Sequence, residues 1–349
     1  MTHDQFEVLS NQAVAACAVA YFLAVLAHLA QWASGRQVPV SSPAAVPVSV
    51  GAGAVDARPV DAGAADDHPL AGSGAPVVAE ESERMQLFGR IGVSLTVVAA
   101  LVHLVAIVSR GLAADPVRVP WGNMYEFTLT GTWVVAAGYL LLYRRFSLSW
   151  LSPVVTGFVL ITLMVDVLLL YTPVVPLRDA LQSPWLVIHV VAAIIATGAF
   201  TLGGMSSALF LVKQRWVERH GAGGTGYLAR LPEVAVLDRM AYRAHAFAFP
   251  IWTFAALIAG PIWAHNAWGR YWGWDPKEVW AFITWVVYAA YLHARATAGW
   301  KGRQAAVVAL VGLATLWFNF VGINFFFGSG SQHSYAAPAP VGVVRTLSG

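Results

Sequence analysis

The stretch IGVSLTVVAALVHLVAIVS, residues 91–109, carries no charged side chain. As a helix it is long enough to cross the ~30 Å hydrocarbon core of a bilayer. Working outward, similar apolar runs begin near Gln12, Leu87, Phe127, Leu151, Pro184, Phe247, Val279 and Gln304. Inside a membrane the backbone has no water to bond, so each run must close its hydrogen bonds within a helix. The reading is an all-α polytopic membrane protein of about eight transmembrane helices, with an external tryptophan-rich loop.

Composition agrees. Of 349 residues, 58% are hydrophobic and 11% charged, whereas a soluble domain carries about 25% charged residues. A soluble hydrolase is excluded. The net charge of +3 is spread over short loops rather than gathered into a basic stripe, which excludes a nucleic-acid partner. The single cysteine, Cys17, permits neither a disulfide framework nor an intrachain CxxC pair. Asp4 and Glu7 stand where a signal peptide would have its basic flank, and the apolar stretch behind them is too long for one.

Four segments are expected. Residues 1–33 form an N-terminal transmembrane helix, and residues 34–86 a disordered cytoplasmic linker. The linker is rich in Ala and Pro from Ser34 onward and has too little bulky apolar surface to offset its ordering entropy. Residues 87–337 form the functional transmembrane core, with the first helix as an appendage, and residues 338–349 an external tail. Orientation follows from cationic loops at Arg144-Arg145, Lys213 to Arg219, and Lys301 to Arg303, which occupy alternate connections. The positive-inside rule makes those loops cytoplasmic. The loops at 111–125, 172–183 and 264–277, and the tail after Phe327, then face outward.

The most informative of these is Trp268-Gly269-Arg270-Tyr271-Trp272-Gly273-Trp274-Asp275-Pro276-Lys277-Glu278. Aromatic belts at membrane surfaces need rings at one depth but do not need them packed into one short loop. Large flat side chains with glycine-permitted turns suit the cradling of a large, flat, apolar ligand. His189 lies just inside the outer end of the helix starting at Pro184, and His333 lies in the outer tail. Both are therefore on the side of the aromatic loop. His293 follows Glu278 by about fifteen residues, or ~22 Å along a helix, which places it near the inner leaflet. An ionisable group at that depth is a functional candidate.

The loop resembles the WWD signature of the haem-handling membrane proteins of cytochrome c biogenesis. The closer resemblance is to the CcsA/ResC branch of system II, and it runs over roughly Leu87 to Tyr335. That resemblance implies a component of a membrane haem-attachment complex. Such a protein carries haem b, non-covalently and transiently, to the outer face of the cytoplasmic membrane. There the haem is attached to the CxxCH segment of apocytochrome c, with a ResB-type membrane partner completing the machine. By the same resemblance His189 and His333 are the external axial ligands of haem iron, and His293 belongs to an inner haem site. Trp268, Gly269, Tyr271, Trp272, Trp274 and Asp275 form the cradle. The second inner ligand stays open between His28, His103 and a partner residue.

Two other readings compete. A b-type bis-histidine electron-transfer cytochrome would put ligand pairs at matched depths inside the spans. A transporter of another apolar substrate would show inverted repeats and broken helices at mid-membrane. Asp166, inside the fourth span, requires a partner because of its cost at that depth. Asn123 and Glu126 have the spacing of a helix capping box. His245 and His265 look like passengers.

Overall fold

The computed structural model describes residues 1–34, 75–174, 183–221 and 226–327, the side chains of 75–82 excepted. Every regular element among them is helical: α1 (His3–Ser34), α2 (Ala75–Ala113), α3 (Met124–Tyr143), α4 (Ser152–Val165), α5 (Pro184–His220), α6 (Tyr227–Arg230), α7 (Val234–Phe254), α8 (Gly260–Trp268), α9 (Pro276–Thr297), α10 (Arg303–Trp317) and α11 (Ile323–Phe326). A short 3₁₀ turn, Leu148–Leu151, leads into α4. Single π-helical turns at Asp166–Leu170, Ala255–Ala259 and Phe318–Gly322 extend α4, join α7 to α8, and join α10 to α11.

Among the described residues six helices are long and apolar enough to cross a membrane: His3–Ser34, Glu83–Ala113, Leu148–Leu170, Pro184–His220, Val234–Trp268 and Arg303–Phe326. The other two expected spans correspond to α3 and α9, helices of 20 and 22 residues outside that set. Side chains such as Leu141 (81% exposed) and Leu168 (76%) would be an aggregation hazard in water. In a bilayer they meet lipid, and the protein is a multi-pass membrane protein.

The first helix is no appendage. Ser10 Oγ donates to the Ala106 carbonyl at 2.8 Å, and Cys17 and Tyr21 lie in the main core with Ala99, Leu129 and Val159. The lack of a side chain at Gly92 lets α2 approach the His28 ring, where a Cβ would sit 2.5 Å away. The boundary expected at residue 87 falls inside α2, which starts at Ala75. Residues 35–74, most of the expected linker, lie outside the described residues, as does the tail from 328 onward.

Chain direction sorts the charges. The starts of α3, α5, α8 and α9 and the ends of α7 and α10 converge on one cavity. Beside them, fully buried Arg110 at the end of α2 pairs with Glu7 of α1 and Glu126 of α3, each at 3.4 Å. Arg118 closes on Glu126 at 2.7 Å. The Thr172 carbonyl accepts from Arg110, whose guanidinium lies 5.0 Å from the Tyr125 ring centre. The opposite end carries Arg144, Arg145, Arg215, Arg219, Arg243, Lys301 and Arg303. There Arg295 forks onto Asp238 at 2.7 and 3.0 Å and ties α9 to α7.

Candidate functional site

The cavity at the convergent end has a volume of about 130 Å³. Its wall is set by an irregularity in the long helix 234–268. Pro261 has no N–H, so it cannot continue the i→i−4 ladder of the helix it enters. The chain inserts a π turn instead, and the Gly260 N–H reaches the Ala255 carbonyl. That carbonyl also faces α5, where His189 Nδ1 lies 2.9 Å from it. Such a bond places the Nδ1 proton on the carbonyl side, so Nε2 carries the ring's lone pair. Indole and imidazole are close to parallel where Trp263, 1% exposed, stacks on His189 at 6.0 Å and 10°. Gly260 leaves room for this ring, because a Cβ there would lie 3.2 Å from it.

The roof comes from the tryptophan-rich loop. α8 ends with Gly269 in the left-handed region at φ 72°, and Trp274 at φ 57° turns the chain again. Asp275 caps α9, with Pro276 in the first turn. Its carboxylate accepts from the Lys277 N–H at 2.9 Å. Glu278 Oε2 accepts from the N–H groups of both Gly273 (2.8 Å) and Asp275 (3.1 Å). Tyr271 and Trp272 thereby hang over the cavity, with Lys277 and Glu278 at its rim. Opposite them, the π turn Phe318–Gly322 brings in Asn319 and Phe320. Two polar atoms here, Trp272 Nε1 and Asn319 Oδ1, are buried without a hydrogen-bond partner among the described residues.

The expected cradle residues divide by position. His189, Tyr271 and Trp272 line the cavity. Trp268 does not; it packs inward on Trp263 at 4.8 Å, in a cluster with Leu186, Val190 and Ile194. Gly269 and Asp275 act as helix caps, and Trp274 is 70% exposed. His333 lies outside the described residues. His293 is exposed on α9 and does not line this cavity.

His28 and His103 are fully buried. His28 Nδ1 lies 3.2 Å from Gln31, whereas neither ring nitrogen of His103 has a hydrogen-bond partner among the described residues. His245 is more than a passenger: its ring is fully buried among Phe200, Tyr288 and Tyr291. His265 stacks on Tyr271 at 4.3 Å and so supports the roof. Asp166 is fully buried, and neither carboxylate oxygen has a hydrogen-bond partner among the described residues. Asn123 caps α3 by accepting from the Glu126 N–H at 2.8 Å. The Glu126 carboxylate in turn accepts from the Gly122 N–H, also at 2.8 Å.

Fold and site define a multi-pass helical membrane protein with an aromatic, histidine-walled cavity at one end. Residues 121–329 match the family of cytochrome c assembly proteins. The cytochrome c biogenesis protein CcsA of Synechococcus sp. (strain JA-2-3B'a(2-13)) is 33% identical over 72% of this chain and 87% of its own length. CcsA of Mesostigma viride is 32% identical with the same coverage. The chain belongs to this family, as a cytochrome c biogenesis protein of the CcsA type, and its role is in cytochrome c assembly. Among solved structures, the cytochrome c heme lyase CcmF shares the fold over 93% of this chain, with a TM-score of 0.55 and 16% identity. This chain spans 49% of that protein.

Proposed function

We propose that this protein receives haem b as cargo and holds it non-covalently in the cavity beneath the tryptophan-rich loop. It presents the haem there, on the outer face of the cytoplasmic membrane, for attachment to the CxxCH thiols of apocytochrome c. The observation that carries this reading is the His189 assembly: a ring fixed by a carbonyl, backed by a buried indole, on the wall of an aromatic cavity. An imidazole fixed in this way is a good axial ligand for haem iron. Trp272 Nε1 and Asn319 Oδ1, without a hydrogen-bond partner among the described residues, offer polar contacts to an amphipathic cargo.

His333 is the proposed second ligand. It follows Phe327 by six residues, a reach of at most ~20 Å, and Phe327 lies just beyond Asn324, which accepts a hydrogen bond from Lys277 at the rim. The outward orientation is supported by the concentration of Arg and Lys at the opposite end. The exposure of His293 on α9 favours an inner site completed by a ResB-type partner over one completed by His28 or His103, which are enclosed by this chain's own helices. At about 130 Å³ the cavity is below the ~300–1,000 Å³ of typical small-ligand sites. Loading therefore requires the roof, residues 269–275, to lift.

The test is the visible spectrum of the purified protein with its membrane partner after dithionite reduction. The expected result is the sharp α and β bands of six-coordinate b-type haem, lost in the His189→Ala, His333→Ala double variant. A haem-free protein, with partner present and haem supplied, would end this reading in favour of the transporter reading.

A further inference from the structure

A groove of about 400 Å³ lies between α3, α5 and α7 in the basic half of the protein, apart from the outer site. Three stripes at helical spacing build it. Val134, Gly138, Leu142 and Phe146 recur every four residues along α3 and the turn after it. The other walls are the face of α5 from Ile195 to Ser206 and that of α7 from Met240 to Phe247. Leu142, Phe146 and Phe247 are exposed, so the groove opens sideways to the bilayer. Helical glycines normally mark close approach of a neighbour. A Cβ at Gly138 would meet only Leu202 Cδ1, at 3.9 Å, so no other helix closes over it among the described residues.

The groove has the depth of one leaflet. From Ile195 to Ser206 it follows α5 for ~16 Å, about half of the ~30 Å hydrocarbon core. It stops at Val134, which packs into the cluster of Leu186, Ile194 and Trp263 behind His189. A spanning helix of another protein would need a seat along the whole core, whereas the tail of one lipid needs a single leaflet.

The mouth is cationic. Arg243 lines the groove from α7, Arg144 ends α3, and the Arg145 guanidinium lies 5.7 Å from the ring centre of Phe146. Arg295 is neutralised by Asp238, but these three have no carboxylate partner among the described residues. A tail gains little by leaving bulk lipid for a wall that is equally apolar, so selection falls to the headgroup. Arginines at the membrane boundary favour phosphate, and more so a lipid with net negative charge. We propose that the groove binds one anionic phospholipid of the leaflet at the basic end. A tail lies along Gly138 and the phosphate sits beside Arg243, tying α7 to α3. This site is independent of the haem site proposed above.

The experiment sets phosphatidylglycerol against phosphatidylcholine. The full-length chain is reconstituted into nanodiscs holding equal amounts of the two, and the lipid it retains on release is counted by native mass spectrometry. Wild type should keep one phosphatidylglycerol per chain, in at least tenfold preference. Arg243→Gln, at an exposed position that leaves the fold alone, should reduce that preference about fivefold, the effect of one cation beside an anionic lipid. Arg303→Gln, also exposed at the basic end but on α10, should leave it unchanged. Gly138→Phe fills the groove and should retain neither lipid.

Wild type that keeps no lipid, or keeps both lipids equally, would overturn the proposal. So would an equal drop in Arg243→Gln and Arg303→Gln, since the attraction would then belong to the whole basic surface. Lipid retained by a folded Gly138→Phe would place it elsewhere on the protein. Release of the bound lipid when the membrane partner is added would make the groove a seat for that partner instead.

Discussion

Glu278→Gln isolates the loop from the rest of the site. One carboxylate oxygen accepts from two backbone N–H groups of the roof, at 2.8 and 3.1 Å. Bonds to a charged acceptor contribute about 1.5–3 kcal/mol and neutral ones about 0.5–1.5. The amide therefore weakens each bond by about 1 kcal/mol, and the pair by about 2 kcal/mol, without changing side-chain size. That corresponds to a ~30-fold shift toward the lifted loop. The assay has two parts: amide hydrogen exchange over residues 269–278 in lipid nanodiscs, and the rate at which bound haem transfers to apomyoglobin. Both should rise roughly 30-fold. Exchange at Gly273 and Asp275 within twofold of wild type would refute the hydrogen-bond argument. Faster exchange with an unchanged haem transfer rate would refute the loop's role as a roof.

Two further predictions concern the frame that holds the site. Gly203→Ala and Gly312→Ala would each place a Cβ 2.8 Å from a buried ring, His245 and Tyr288 respectively. Overpacking of about 1–3 kcal/mol outweighs the helix gain of about 1 kcal/mol, so both should melt earlier in detergent; Gly157→Ala should melt later, and the reverse order would contradict the packing account. Arg110→Gln leaves Glu7 unpaired and Glu126 with Arg118 alone. Glu126 keeps Arg118 and Glu7 is partly exposed, so no buried charge is stranded; the lost charge-assisted bonds contribute about 1.5–3 kcal/mol, and an unshifted denaturation midpoint would show that this network is not holding α1 to α3.

Much of this was legible from residue patterns. Uncharged runs marked the helices because the bilayer leaves the backbone no alternative. The tryptophan-rich segment forms the turn between α8 and α9, and His189 lines the same cavity as its Tyr271 and Trp272. The division of labour within the loop was not legible. Trp268 and Trp272 look equivalent in sequence, yet one packs inward and the other lines the cavity, a choice made by the left-handed turns at Gly269 and Trp274. Asp275-Pro276-Lys277-Glu278 does carry a helix-start signature that announces Asp275 and Glu278 as caps. Trp263, Asn319 and Phe320 escaped notice because π turns bring them to the site, and hydropathy has no period that reports one. The burial of Arg110 depends on a partner in α1 more than a hundred residues earlier, which no local pattern reveals.

The π turn at Ala255–Ala259 also acts as a phase shifter. One residue added to a helix rotates everything beyond it by about 100°. Without the extra residue, the face of α8 that offers Trp263 to His189 would turn toward lipid, and a different aromatic of the same helix would come round in its place. A one-residue deletion there would thus change what His189 sees without altering any residue that touches it. Homologues that differ by a single residue between Phe254 and Pro261 should therefore be compared by angular position rather than by column, since aligned letters would then stand about 100° apart around the helix.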